Sequence, residues 1–305
     1  MPEYRTVSSP LIFDHSLIRV RHRRALALGP VTFLLDRVAE DLADRLAAVL
    51  RRFALALDLA TPGEAVRLAL ARVGSVDEVV AAGTMPRSGG TLASHFVAAA
   101  DEVLPFRDAA FDLVVSALAL QFVNDLPGTL VQIRRVLKPD GLFLAALIGG
   151  ETLTELRQSF AAAESEVEGG ISPRVAPFAD LRDLGSLLQR AGFALPVTDS
   201  DRITVRYDTV FTLMHELRRM GATTALIDRS RAPLKRATLL RMAEFYAQRF
   251  CDDDGRVRAT FEILWLSGWA PHPSQQQPLK PGAATARLAD ALGTREVSTG
   301  EKAGG

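Results

Sequence analysis

The 305-residue chain contains a single cysteine, Cys251. No intrachain disulfide and no cysteine-built zinc or iron–sulfur site can form within one chain, which fits a reducing compartment. Long hydrophobic runs are also missing. The longest, such as 141–149, fall far short of the roughly 20 residues that cross a bilayer, and no apolar signal core stands at the N-terminus. A cytoplasmic, bacterial-type protein is expected, with at most peripheral contact at an inner membrane. Neither charge is in excess, since 36 Lys+Arg face 36 Asp+Glu. A non-specific nucleic-acid binder needs a cationic surplus, so nucleic acid is not an expected partner. The five histidines, His15, His22, His95, His215 and His272, show no pairing on one helix face with a carboxylate, and no metal site is expected. Gly-x-Ser-x-Gly, Walker and Gly-x-Gly-x-x-Gly motifs are absent. Cys251 has no readable activating partner and is expected to be buried or inert, and Trp265 and Trp269 to be core.

What is present is apolar material, 48% of the chain, in two patterns. In 33–50, Leu35, Val38, Leu42, Leu46 and Val49 recur at helical spacing. Segment 13–28 mixes Leu17, Ile18, Val20 and Leu26 with Arg19, Arg21, His22, Arg23 and Arg24. It predicts an amphipathic helix that either docks on an acidic or membrane surface or covers the main domain. Continuous apolar runs at 53–58, 76–81, 111–116 and 142–148 read as strands buried on both faces. Helical patterns fall between them at 64–73 and through Leu126, Leu130, Ile133 and Leu137, stopping at Lys138–Pro139–Asp140–Gly141. This alternation predicts an α/β, doubly wound, mostly parallel sheet. The second half predicts helices at 152–166, 180–190, 209–220 and 233–250, with strands at 203–207 and about 259–266. Three regions follow: an N-terminal helical cap at 1–50, an α/β domain at 51–270 with a helical addition at about 208–251, and a flexible tail at 271–305.

Ligands of such sheets sit beyond the carboxyl ends of the strands, where strand order reverses. That selects Asp58, 81–83, 100–102 and Ser116. Asp58 could hold turn amides or a ligand's ammonium group, or cap the following turn.

The strings Asp101–Glu102–Val103–Leu104–Pro105–Phe106, Phe111–Asp112–Leu113–Val114–Val115–Ser116, Gln121–Phe122–Val123–Asn124–Asp125–Leu126–Pro127 and Leu137–Lys138–Pro139–Asp140–Gly141 resemble the middle of a class I S-adenosylmethionine-dependent methyltransferase. Further on, Gly149–Gly150–Glu151–Thr152, Glu168–Gly169–Gly170–Ile171–Ser172–Pro173, Gly268–Trp269 and His272–Pro273–Ser274–Gln275 resemble a narrower group. That group is the complex I assembly factor with a methyltransferase fold, together with bacterial biotin-synthesis-like methyltransferases. The resemblance implies a seven-stranded, Rossmann-like sheet with an antiparallel last strand. It implies S-adenosylmethionine as cofactor, held around Asp58, Ala60, Gly63, Gly83, Asp101, Glu102 and Ser116. Gln121, Asn124 and Asp125 follow the fourth strand beside the acceptor. Asn124 and Asp125 could orient it or cap the next helix.

The chain departs from the family pattern at the cofactor loop. Where the family has Asp-Leu-Gly-x-Gly-x-Gly, this sequence has Asp58–Leu59–Ala60–Thr61–Pro62–Gly63–Glu64. A side chain intrudes at Ala60, Pro62 removes an N–H, and Glu64 brings a carboxylate toward the cofactor's own. The family's ribose-binding acid falls on Gly83. Its adenine-side acid falls on Ala100 in strict register, or on Asp101 after a one-residue slip. Its His-Trp pair is Gln121–Phe122. Two or three lost hydrogen bonds to a charged ligand weaken binding by about a hundredfold or more.

Within the family, the mitochondrial member is understood to hydroxylate an arginine on an iron–sulfur subunit of respiratory complex I. The resemblance implies a methyltransferase-family protein that modifies a protein side chain, with that subunit as client. The altered loop supports an alternative, a non-catalytic assembly or scaffold protein that kept the fold.

Overall fold

In the computed structural model, which describes residues 11–84, 95–276 and 293–294, the apolar runs of the first half become the centre of one seven-stranded sheet. Its strands are β1 (Phe53–Leu59), β2 (Val76–Gly83), β3 (Phe96–Ala98), β4 (Phe111–Ala117), β5 (Leu137–Ile148), β6 (Ala194–Tyr207) and β7 (Val257–Trp269), in the order β3-β2-β1-β4-β5-β7-β6. β1 pairs in parallel with β2 and β4, and β4 with β5, whereas β7 runs antiparallel to both β5 and β6. This is the mostly parallel, doubly wound class I methyltransferase arrangement, with the antiparallel last strand. Strand order reverses between β1 and β4, and a crevice opens there.

The central strands are apolar because helices cover both faces. Ala56, Leu113 and Val115 join a core with α2 (Phe33–Ala47), α3 (Ala65–Val73), α5 (Thr154–Glu168), α7 (Val210–Arg219) and α8 (Arg236–Phe250). Leu57, Leu59 and Val114 point the other way, into a core with α4 (Leu126–Val136) and α6 (Leu181–Arg190). Alternate residues of one strand thus feed two cores. Helix α1 (His15–Ala27) buries only Ala25 among its residues and lies over the sheet's carboxyl edge.

Three strands differ from expectation. β5 starts at Leu137, ahead of the expected stop, because a register shift between Phe111 and Leu113 takes up Lys138 to Gly141 as an irregularity inside the pairing. β6 is 14 residues long rather than the short 203–207 run. It is the sheet's outer strand with one partner, so polar and half-exposed residues suit it and hide it from an apolar-run reading. β3 has three residues, within a short apolar run at 96–100 that the expected strands do not include. Trp265 is core, 2% exposed, with the Arg45 guanidinium 4.4 Å from its ring centre. Cys251 is exposed, not buried, because it follows the last turn of α8. No helix of the described residues is long and apolar enough to cross a membrane. The first ten residues of the expected cap, and most of the expected tail at 271–305, lie outside the described residues.

Candidate functional site

A cavity of about 560 Å³ stands over the carboxyl ends of β1, β2, β4 and β5. The loop from β1 to α3 forms one wall. Ala60 adopts φ +59°, the left-handed geometry usually left to glycine, so the turn keeps its shape despite the methyl group. Its N–H donates to the Ala82 carbonyl at 2.7 Å. The Thr61 hydroxyl accepts from the Ala117 N–H at 3.0 Å, a staple across the crevice from the β1 loop to the end of β4. Gly63, at φ +74°, has no heavy atom near where a Cβ would stand. Glu64 pairs with Arg67 on α3, whose side chain is 6% exposed. The carboxylate expected to oppose a ligand is therefore balanced within its own helix.

Gly83 ends β2. A Cβ built there would lie 3.4 Å from the Ala60 Cα and 4.0 Å from Oδ1 of Asp101. Asp101 thus reaches the space where the family places its acids, although strict register assigns one of them to Ala100. Asp101 Oδ1 is buried without a hydrogen-bond partner. Burial pushes its pKa up to about 6; Glu102 adds to the rise, while His15 and Arg19 oppose it. Gln121 donates from Nε2 to the Leu118 carbonyl at 2.8 Å, leaving Oε1 buried and unpartnered.

Ala60, Gly63, Gly83, Asp101 and Gln121 therefore meet on one cavity wall. Asp58 is buried in the sheet, in register with Ala81 and Val115, and Ser116 is buried opposite Ala145. Glu102 lies 3.4 Å from His15 Nε2 and accepts from the Asn124 N–H at 2.5 Å. Asn124 clamps the N-terminal segment: Oδ1 accepts from Ile12 N–H at 2.7 Å and Phe13 N–H at 2.8 Å, and Nδ2 donates to the Phe13 carbonyl at 3.2 Å. Asp125 caps α4, accepting from the Gly128 N–H at 2.8 Å.

The roof comes from α1 and from the segment after α7. Arg19, Arg21 and His22 line the cavity, so these three members of the basic run face inward while Arg23 and Arg24 are exposed. Arg21 donates to the Thr223 hydroxyl. His22 lies against Gly221, where φ is +74° and an added Cβ would collide with the ring; burial lowers its pKa. No sequence pattern marks Arg218, Thr223 or Thr224 as cavity residues, because what brings them there is the packing of the end of α7 and of the connection that follows it.

S-adenosylmethionine bears a sulfonium, an ammonium and an exocyclic amine. Two orphaned acceptors, Asp101 Oδ1 and Gln121 Oε1, beside two glycines without side chains, suit such a donor-rich ligand.

Residues 57–145 match the family described as a methyltransferase domain. The mitochondrial arginine-hydroxylase NDUFAF5 of Danio rerio is 38% identical over 286 residues, which cover 92% of this chain and 89% of the relative. A malonyl-[acyl-carrier protein] O-methyltransferase of Laribacter hongkongensis is 37% identical over 181 residues, 59% of this chain and 58% of that protein. Among solved structures, the YcgJ protein of Bacillus subtilis has the same fold, with a TM-score of 0.51 at 15% identity over 76% of this chain and 99% of that one.

Proposed function

This chain belongs to the family of the arginine-hydroxylase NDUFAF5, within the S-adenosylmethionine-dependent methyltransferase fold, and from that premise we propose that it is an enzyme that binds S-adenosylmethionine at the β1–β4 crevice. The observation that carries this reading is Asp101, whose buried, unpartnered Oδ1 faces the space that Gly83 leaves open. Bound there, the cofactor would supply a methyl group activated on sulfur. Asp101 and Gln121 would accept from its donor groups. Ala60 and Gly63 would set the loop's shape, with Thr61 holding that loop against β4. Helix α1 would exclude water from above.

The partner is a protein client, and the resemblance to a complex I assembly factor points to an iron–sulfur subunit of respiratory complex I. Placement in a bacterial-type cytoplasm, at the inner surface of the membrane, suits such a client. Titration calorimetry with S-adenosylmethionine and its demethylated product tests the cofactor. Wild-type protein is expected to bind both, and Asp101→Ala to bind them about tenfold or more weakly. Absence of binding by the wild-type protein overturns the enzyme reading in favour of a scaffold. Mass spectrometry of the subunit from a deletion strain tests the client: a lost modification supports it, and reduced assembly with the modification intact supports the scaffold.

A further inference from the structure

Helix α7 has a second cavity behind it. Met214, Leu217 and Arg218 line the crevice cavity, whereas Thr212 and Glu216, four residues apart on another face, line a pocket of about 280 Å³ with Phe33, Arg206, Tyr207 and Asp208. The joint between β6 and α7 builds it. β6 ends at Tyr207 and α7 starts at Val210, with Thr209 as its N-cap, so the strand end and the helix face stand side by side. The pocket's charge is lopsided. Arg206 is matched by Asp252 at 2.8 Å and Asp254 at 2.5 Å, while among the described residues neither Asp208 nor Glu216 forms an ion pair. Tyr207 is 5% exposed, and its hydroxyl is buried without a hydrogen-bond partner. Burial, and then the Glu216 carboxylate standing near it, raise the Tyr207 pKa, so the phenol stays neutral and its oxygen can accept. An orphaned buried hydroxyl beside two unpaired carboxylates and the half-exposed ring of Phe33 lacks a donor that carries positive charge.

We propose that this pocket is an exosite for a lysine side chain of a protein partner, whose ammonium donates to Tyr207 Oη, Asp208 and Glu216 while its stem lies along Phe33. An ammonium carries three N–H donors, one for each of those acceptors, and an aromatic ring beside it adds to the attraction. The site rests on the protein-client reading and adds to it where the client docks, not which residue is modified. Because α7 stands between the two cavities, a lysine held here leaves the crevice free for the group that reacts.

Amide NMR titration of the full chain with the N-acetyl methylamides of lysine, norleucine, glutamate and arginine tests the site. The lysine amide is expected to shift resonances of Phe33 and residues 205–216 and to bind about tenfold more tightly than the norleucine amide, with the glutamate amide weakest. Raising salt from about 0.1 to about 0.5 M should weaken the lysine amide several-fold. Glu216→Gln and Tyr207→Phe should each weaken it several-fold and leave the norleucine amide and S-adenosylmethionine unchanged. Should Tyr207→Phe fail to fold, Asp208→Asn, at an exposed residue, takes its place. Equal binding of the lysine and norleucine amides, preference for glutamate, shifts confined to the crevice, no binding at all, or unchanged affinity in the double variant overturns the site. Arginine amide binding more tightly than lysine amide overturns the lysine and assigns a guanidinium. Loss of the client's modification on deletion, with no lysine amide bound, sinks this proposal alone. Lysine amide bound here by a protein whose deletion leaves the client's assembly and modification intact sinks the client reading alone.

Discussion

The Cα of Ala60 lies 3.4 Å from the point a Cβ on Gly83 would occupy, so the loop after β1 and the end of β2 meet almost backbone to backbone. Ala60 holds φ +59° there. A methyl group in that region costs about 1 kcal/mol relative to glycine. Ala60→Gly should raise the thermal midpoint by about 2 °C and tighten S-adenosylmethionine binding. Differential scanning calorimetry reads the first effect, and a lower midpoint would contradict the strain.

Asp101 couples binding to stability. Its folded pKa, about 6 against an ordinary 3.8, means that the folded state keeps a proton the unfolded chain has lost between those values. Stability therefore falls as pH rises through this window and stays reduced above it, by about 3 kcal/mol at most. Asp101→Asn removes the penalty. It should melt higher than wild type at pH 8 and the same at pH 4, while binding the cofactor more weakly. Parallel melting curves at both pH values would refute the assignment.

Asn124→Ala should release the N-terminal segment. Three hydrogen bonds to Ile12 and Phe13 disappear, at a cost of about 1–3 kcal/mol. Hydrogen exchange should quicken across residues 12–28 and leave β1 protected. Uniform quickening would indicate global destabilisation instead.

Glu64→Gly puts the family's glycine back, yet it should not help. It removes one partner of Arg67, a side chain 6% exposed, and the loss should reach about 2 kcal/mol. Urea unfolding reads this directly. A more stable Glu64→Gly protein would show that the pair contributes nothing.

The sheet was largely legible because strands covered on both faces cannot avoid being apolar. β1, β4 and the second half of β5 carry that mark in their residues. β6 does not, since an outer strand satisfies its exposed side with polar side chains. The cavity wall was half legible. Asp101, one residue off the strict family register, and Gln121, where the family has His, both line the cavity, while nothing in the loop motif shows that Arg67, one turn along α3, balances Glu64. Asn124 could be read as an acceptor-side group or a cap. Its actual partner is the chain 111 residues earlier, a long-range pairing that no local pattern encodes.

The roof over the cavity has a consequence for biosynthesis. Residues 12–28 are made early, but Asn124 comes 112 residues after Ile12, and Thr223 comes 202 residues after Arg21. A chain still on the ribosome can pair β1 to β5 and seat Ile12 and Phe13 on Asn124 while Arg21, farther along the first helix, still lacks Thr223. Until the segment after α7 emerges, the crevice stands open to solvent with Leu156 and Phe160 uncovered. Closure is the late event of synthesis, and a product terminated before Thr223 would be an uncovered sheet in need of a chaperone.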